Sequence, residues 1–129
     1  MRAKVAAKGT RGGAQLRLSE LQRQLILEAL MFHMERPGGD RASTVRLGVG
    51  RASVARIIEK IRGASDEFDL LEIHVLFTAL ISASFWIPSE EAFYERMGFF
   101  RERALALADG LMRAIQELPG TCEGPAEGA

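Results

Sequence analysis

Residues 46–58 read RLGVGRASVARII, and residues 96–108 read RMGFFRERALALA. Each stretch has an arginine, an aliphatic residue, a glycine, two further residues and a second arginine, followed by a run with apolar side chains at helical spacing. In the first run these are Val54, Ile57, Ile58 and Ile61, and in the second Ala104, Leu107 and Leu111. An apolar stripe at this period marks a helix lying on a core. Glycine enters left-handed backbone at little steric cost, so it ends one helix and lets another start at a new angle. Gly48 and Gly98 are therefore expected to make the same turn, each between a short helix and a long one.

Helical punctuation continues outward from these turns. Ser19 followed by Gln22 reads as a capping box, and Leu21, Leu25, Leu27, Leu30, Met31 and Met34 then form a broad apolar face. The run Pro37–Gly38–Gly39 stops that helix. A short helix from Arg41 to Leu47 precedes Gly48, and a longer one from Ala52 to Arg62 ends at Gly63 as its expected cap. Asp69 and Glu72 repeat the capping box, and residues 70–87 are apolar almost all round. With Glu72, His74, Thr78, Ser82 and Ser84 inside it, that segment reads as a helix enclosed by other helices rather than a membrane span. A short acidic helix, EEAFYER, follows Pro88 and Ser89, and a long one runs from Phe99 to Leu118 before Pro119–Gly120. No strand alternation is read. The expected fold is all-α: a compact bundle of four main and two short helices over residues 18–118.

Shifted by 50 residues without gaps, 17–63 aligns with 67–113. Seven positions are identical: Leu21, Ala29, Leu30, Ala42, Arg46, Gly48 and Arg51. Caps, glycine breaks and helix lengths also coincide, which is the signature of an internal duplication. The competing reading is that two amphipathic helix pairs of similar length align easily.

The chain has 129 residues, 17 basic and 17 acidic, and 47% apolar content, the composition of one globular domain. Its charge is divided, with 13 Lys/Arg and 5 Asp/Glu in residues 1–62 but 4 and 12 in the remainder. Such a division suits a nucleic-acid-facing half or faces that attract one another within a dimer. Residues 1–17, rich in Arg, Lys and Gly, are expected to be a disordered basic arm, and residues 119–129 a disordered tail. The N-terminus lacks the apolar core of a secretory signal. The one cysteine, Cys122, permits no internal disulfide, so a cytoplasmic setting is expected.

Residues 40–59 resemble the helix-turn-helix motif of bacterial transcriptional regulators. Thr44, Gly48, Val49, Val54 and Ile57 occupy the motif's small, turn and buried places, while Gly50 stands where a serine or threonine commonly caps the second helix. The resemblance implies duplex DNA as a partner, read through Arg41, Arg46, Arg51, Ser53, Arg56 and Lys60. Against it stands the second copy of the turn, which does not look like a reading element.

Other chemistry is sparse. GVGRAS has no preceding strand and lacks the third glycine of a phosphate loop. His33 and His74 have no second imidazole at ligand spacing, so no metal and no cofactor are expected. No convergent set of titratable groups suggests an enzyme or a small-molecule substrate. Six of the nine aromatics, Phe85, Trp86, Phe93, Tyr94, Phe99 and Phe100, lie within sixteen residues. They read either as core at a junction of helices or as an interface for a protein partner or a second subunit. The function expected first is a non-catalytic helical regulator or adaptor that self-associates, with DNA binding as the alternative.

Overall fold

The computed structural model describes residues 3–119. Two strands open it, β1 (Ala6–Thr10) and β2 (Gly13–Arg17), followed by α1 (Glu20–Met34), α2 (Gly39–Leu47) and α3 (Arg51–Arg62). A third strand, β3 (Glu67–Asp69), leads into α4 (Leu70–Trp86), α5 (Glu90–Met97) and α6 (Arg101–Gln116). The molecule is thus mainly helical, with four long and two short helices beside a small antiparallel sheet of order β1-β2-β3. The tail expected from residue 119, with Cys122, lies almost wholly outside the described residues.

The sheet corrects two expectations, the purely all-α fold and the disordered arm. In β2, Ala14 and Leu16 are buried while Gln15 and Arg17 face outward, and Leu18 continues the inward set. A strand with one buried face alternates in this way. The Arg11–Gly12 turn closes the hairpin, with Gly12 at φ +85°. β2 then pairs with β3 through Gly13–Asp69, Ala14–Phe68 and Gln15–Glu67. The Leu16 amide donates to the Asp66 carbonyl at 2.7 Å, and the Leu70 amide to Gly12 at 3.1 Å. Phe68 is fully buried beneath this pairing.

The helices follow the expected punctuation closely. Ser19–Gln22 and Asp69–Glu72 both form complete capping boxes, satisfying amides that an uncapped first turn would leave unpaired. Gly48 (φ +85°, ψ −3°) and Gly98 (φ +78°, ψ +5°) close α2 and α5 in the same left-handed conformation. The end of α3 departs from expectation. Gly63 has φ −81°, and the left-handed residue is Ala64 at φ +60°. The Ala64 amide bonds Ile61 and the Ser65 amide bonds Lys60, so the chain makes a Schellman turn with alanine where glycine fits best.

Helix starts recur at the 50-residue offset, at 20 and 70 and at 51 and 101. Packing recurs as well: α3 lies on α1 as α6 lies on α4, α2 lies on α4 as α5 lies on α1, and α1 crosses α4. One core runs through both halves, filled by Ile26, Leu30, Leu47, Ile57 and Phe68 together with Leu76, Leu80, Phe93, Met97, Leu107 and Leu111. No helix among the described residues is long and apolar enough to cross a membrane.

Candidate functional site

The arginines and the aromatics singled out in the sequence do not form two separate surfaces; some of each meet in one cleft. Arg36, Pro37, Arg41, Ala42, Val45, Arg46 and Trp86 line an open depression of about 480 Å³ between α2 and the C-terminal end of α4. Its floor is apolar. Val45 is 86% exposed and Trp86 51% exposed, so two apolar side chains lining one depression stand open to solvent. Trp86 is braced edge-to-face by Phe85, with ring centroids 5.3 Å apart. The Arg36 guanidinium sits 5.3 Å from the Phe32 ring centroid, a cation–π distance that holds it at the rim.

The cleft is cationic because its arginines lack acids. Among the described residues, no carboxylate pairs with Arg36, Arg41 or Arg46. Arg46 donates to the His33 carbonyl at 3.3 Å, and its buried Nε has no partner. Burial first, then the charges of Arg36 and Arg51, push the Arg46 guanidinium below its ordinary value, although an arginine stays protonated throughout. At the matching position fifty residues on, Arg96 behaves differently. It bonds Glu28 at 3.1 Å and Glu35 at 2.8 Å on α1. The residues that correspond to those two glutamates on α4 are Thr78 and Phe85. Sequence therefore neutralises one arginine and leaves its counterpart open.

Beneath the cleft lies His33, 2% exposed, with its Nε2 proton donated to the Ala79 carbonyl at 3.1 Å. Burial lowers its pKa from 6.5 to about 4, the bond to Ala79 opposes that, and Arg46 and Arg36 add to the lowering. The ring is neutral near pH 7 and ties α1 to α4.

The other residues read as DNA-contacting are dispersed. Arg56 is exposed and donates to the Ser53 hydroxyl at 3.0 Å, while Ser53 and Arg51 are half-buried. The Arg51 amide is capped by Asp40 at 3.0 Å, which takes the role of the missing side-chain cap at Gly50. Lys60 is engaged, bonding Glu72 at 2.8 Å and lying 4.9 Å from the Phe68 ring centroid. Together these place Arg41 and Arg46 on the cleft and the remaining four elsewhere along α3.

The aromatic set divides too. Phe93 is a correction: it is 0% exposed, a core residue under the Arg101 guanidinium, and touches no partner from the surface. Phe99 is half-buried beside Leu21 and Leu25. Phe85 and Trp86 form one exposed pair, and Tyr94 and Phe100 another, stacked with centroids 4.7 Å apart. No ring contact joins the pairs among the described residues. Sequence reading passed over Arg36 and Val45; the signal that could have found Val45 is its place on the polar face of a short helix.

Among the described residues no three His, Cys, Asp or Glu side chains gather as metal ligands. No family model matches the chain, and no curated protein and no solved structure matches it.

Proposed function

We propose that the chain is a non-catalytic interaction module whose α2–Trp86 cleft binds an acidic protein segment carrying an apolar anchor. The observation that carries this is the open guanidinium cluster of Arg36, Arg41 and Arg46 around an exposed tryptophan and valine. Trp and Arg are among the side chains that most often dominate protein interfaces, and an exposed aromatic beside unpaired cations favours an amphipathic anion. A partner carboxylate would take the place beside Arg46 that Glu28 and Glu35 hold beside Arg96. The recurring helix starts, caps and packing support an origin by internal duplication, after which the two halves diverged in charge.

A second reading, binding of duplex DNA through α2 and α3, draws support from the left-handed Gly48 turn and the exposed Arg41 and Arg56. The engaged Lys60 and half-buried Arg51 give it less.

Trp86 is the single tryptophan, so its fluorescence reports on the cleft directly. Titration with a synthetic acidic amphipathic helix should shift its emission, and Arg41→Ala should weaken the interaction about tenfold, equivalent to about 1.4 kcal/mol. The effect should diminish as salt is raised. A charge-reversed peptide should give no shift. If the acidic peptide leaves the emission unchanged while duplex DNA binds with Arg56-dependent, salt-steep affinity, the second reading replaces the first.

A further inference from the structure

We infer that the acidic segment taken by the cleft is α5 of a second copy of this chain, so that the protein forms a reciprocal dimer. This rests on the cleft reading above and names its occupant. The two halves carry opposite charge at matched positions. Arg41 and Val45 on the outer face of α2 correspond, at the 50-residue offset, to Glu91 and Glu95 on the outer face of α5. All four are exposed, and among the described residues Arg41, Glu91 and Glu95 have no ion-pair partner. One half of the fold thus presents cations where the other presents anions.

Apolar groups accompany both faces. Beside the basic face stand Trp86 and Val45; beside the acidic one, Tyr94 stacks on Phe100, which is 59% exposed. An acidic helix carrying an exposed stacked aromatic pair has the chemistry that the cleft is built to receive. α2 packs on α4 and α5 packs on α1, and α1 and α4 pack on each other. Arg36 and Trp86, themselves fifty residues apart, both line the cleft, so it reaches the line between the halves. A second copy related by a two-fold axis across this line sets Glu91 and Glu95 against Arg36 and Arg41, and its own arginines against the first copy's glutamates. Both contacts form at once, and the assembly closes as a dimer rather than growing into a filament.

The test is sedimentation of the full chain, from micromolar to several hundred micromolar protein, at low and high salt. The wild type should be dimeric at low salt and dissociate as salt rises. Arg41→Glu and Glu91→Arg should each weaken association about tenfold or more, because each sets like charges together at two symmetric contacts. The double variant R41E/E91R should recover most of the loss, since the pair is restored with its signs exchanged. Both positions are solvent-facing, and matching thermal melts will show that the variants fold. A wild type monomeric at every concentration overturns the inference, as does a dimer unaffected by Arg41→Glu or a ladder of larger species. If the protein is monomeric and an acidic peptide still shifts Trp86 emission, only the self-docking fails. If neither occurs, the cleft reading fails with it.

Discussion

Two single residues carry unusual local chemistry, and each gives a measurable consequence. Ala64 holds left-handed backbone at φ +60° in a turn whose hydrogen bonds are complete. The conformation costs a non-glycine residue about 1–2 kcal/mol, and the exposed methyl has little packing to lose. Ala64→Gly should therefore raise stability by about 0.5–1 kcal/mol after the added chain entropy of glycine is counted. Chemical denaturation will read it, and a loss of stability would mean that the turn is not under strain. The glycine at 63 was expected to supply this cap, and it stands one residue too early; sequence located the turn without its phase. His33 gives the second consequence. Its folded pKa is depressed to about 4 from 6.5, so the unfolded chain binds the proton more readily between those values. The stability that neutral His33 confers is complete above pH 6.5, falls as the pH drops, and is lost below about 4. Over that interval it amounts to about 3 kcal/mol. Carboxylates titrate in the same range, so the measurement is the difference between wild type and His33→Leu: from pH 6.5 down to 4 the wild type should lose about 3 kcal/mol more than the variant, whose curve is flatter there.

At the scale of the element, most of the helical architecture was legible because its signals are local. Ser19 with Gln22 and Asp69 with Glu72 announce two helix starts through contacts three residues apart, and the glycines at 48 and 98 announce two ends. The two boxes are not energetically equal. Gln22 caps the Ser19 amide and also reaches the Lys4 carbonyl at 3.1 Å. Glu72 caps the Asp69 amide with the same oxygen that receives Lys60 at 2.8 Å, tying α3 to α4 through two partly buried groups. Loss of a cap of this type costs about 1 kcal/mol, and removing Glu72 also strands a partly buried lysine. Glu72→Ala should accordingly cost about 2 kcal/mol against about 1 for Gln22→Ala, read from paired urea titrations. Equal losses would show that the Lys60 contact contributes no more than the bond from Gln22 to the Lys4 carbonyl. The strands were not legible for a matching reason. Ala14, Leu16 and Leu18 do alternate with Gln15 and Arg17, but the run is short and sits among glycines. What makes it a strand is Phe68, more than fifty residues away, and the carbonyl row beside it.

At the scale of the whole molecule, the sheet joins what the helices repeat. Residues 13–15 pair with residues 67–69, so the strand entering α1 is bonded to the strand entering α4. The candidate site has the same long-range character. Arg41, Arg46 and Trp86 were each visible in the sequence, yet their meeting depends on α2 crossing to the far half and lying on α4. Nothing in local spacing places position 86 beside position 45, and the absence of acids around Arg46 becomes evident only beside the paired Arg96. The integrity of this join can be tested at Gly13. A Cβ built there would overlap the Phe68 carbonyl and crowd the Asp69 Cα, both backbone, so no side-chain rotation can relieve it. Gly13→Ala should therefore force the β2–β3 pairing apart and cost about 2–4 kcal/mol, within the range of substitutions that strain a packed interior. Gly9→Ala, with open space around its Cβ, is the control in the same hairpin and should change little. Amide exchange distinguishes a local from a global effect: in Gly13→Ala, the Leu16 and Leu70 amides, bonded to Asp66 and Gly12, should lose protection first. If those amides stay as protected as in the wild type while stability falls, the strands are not what holds the two halves together, and the α1–α4 crossing alone must do so.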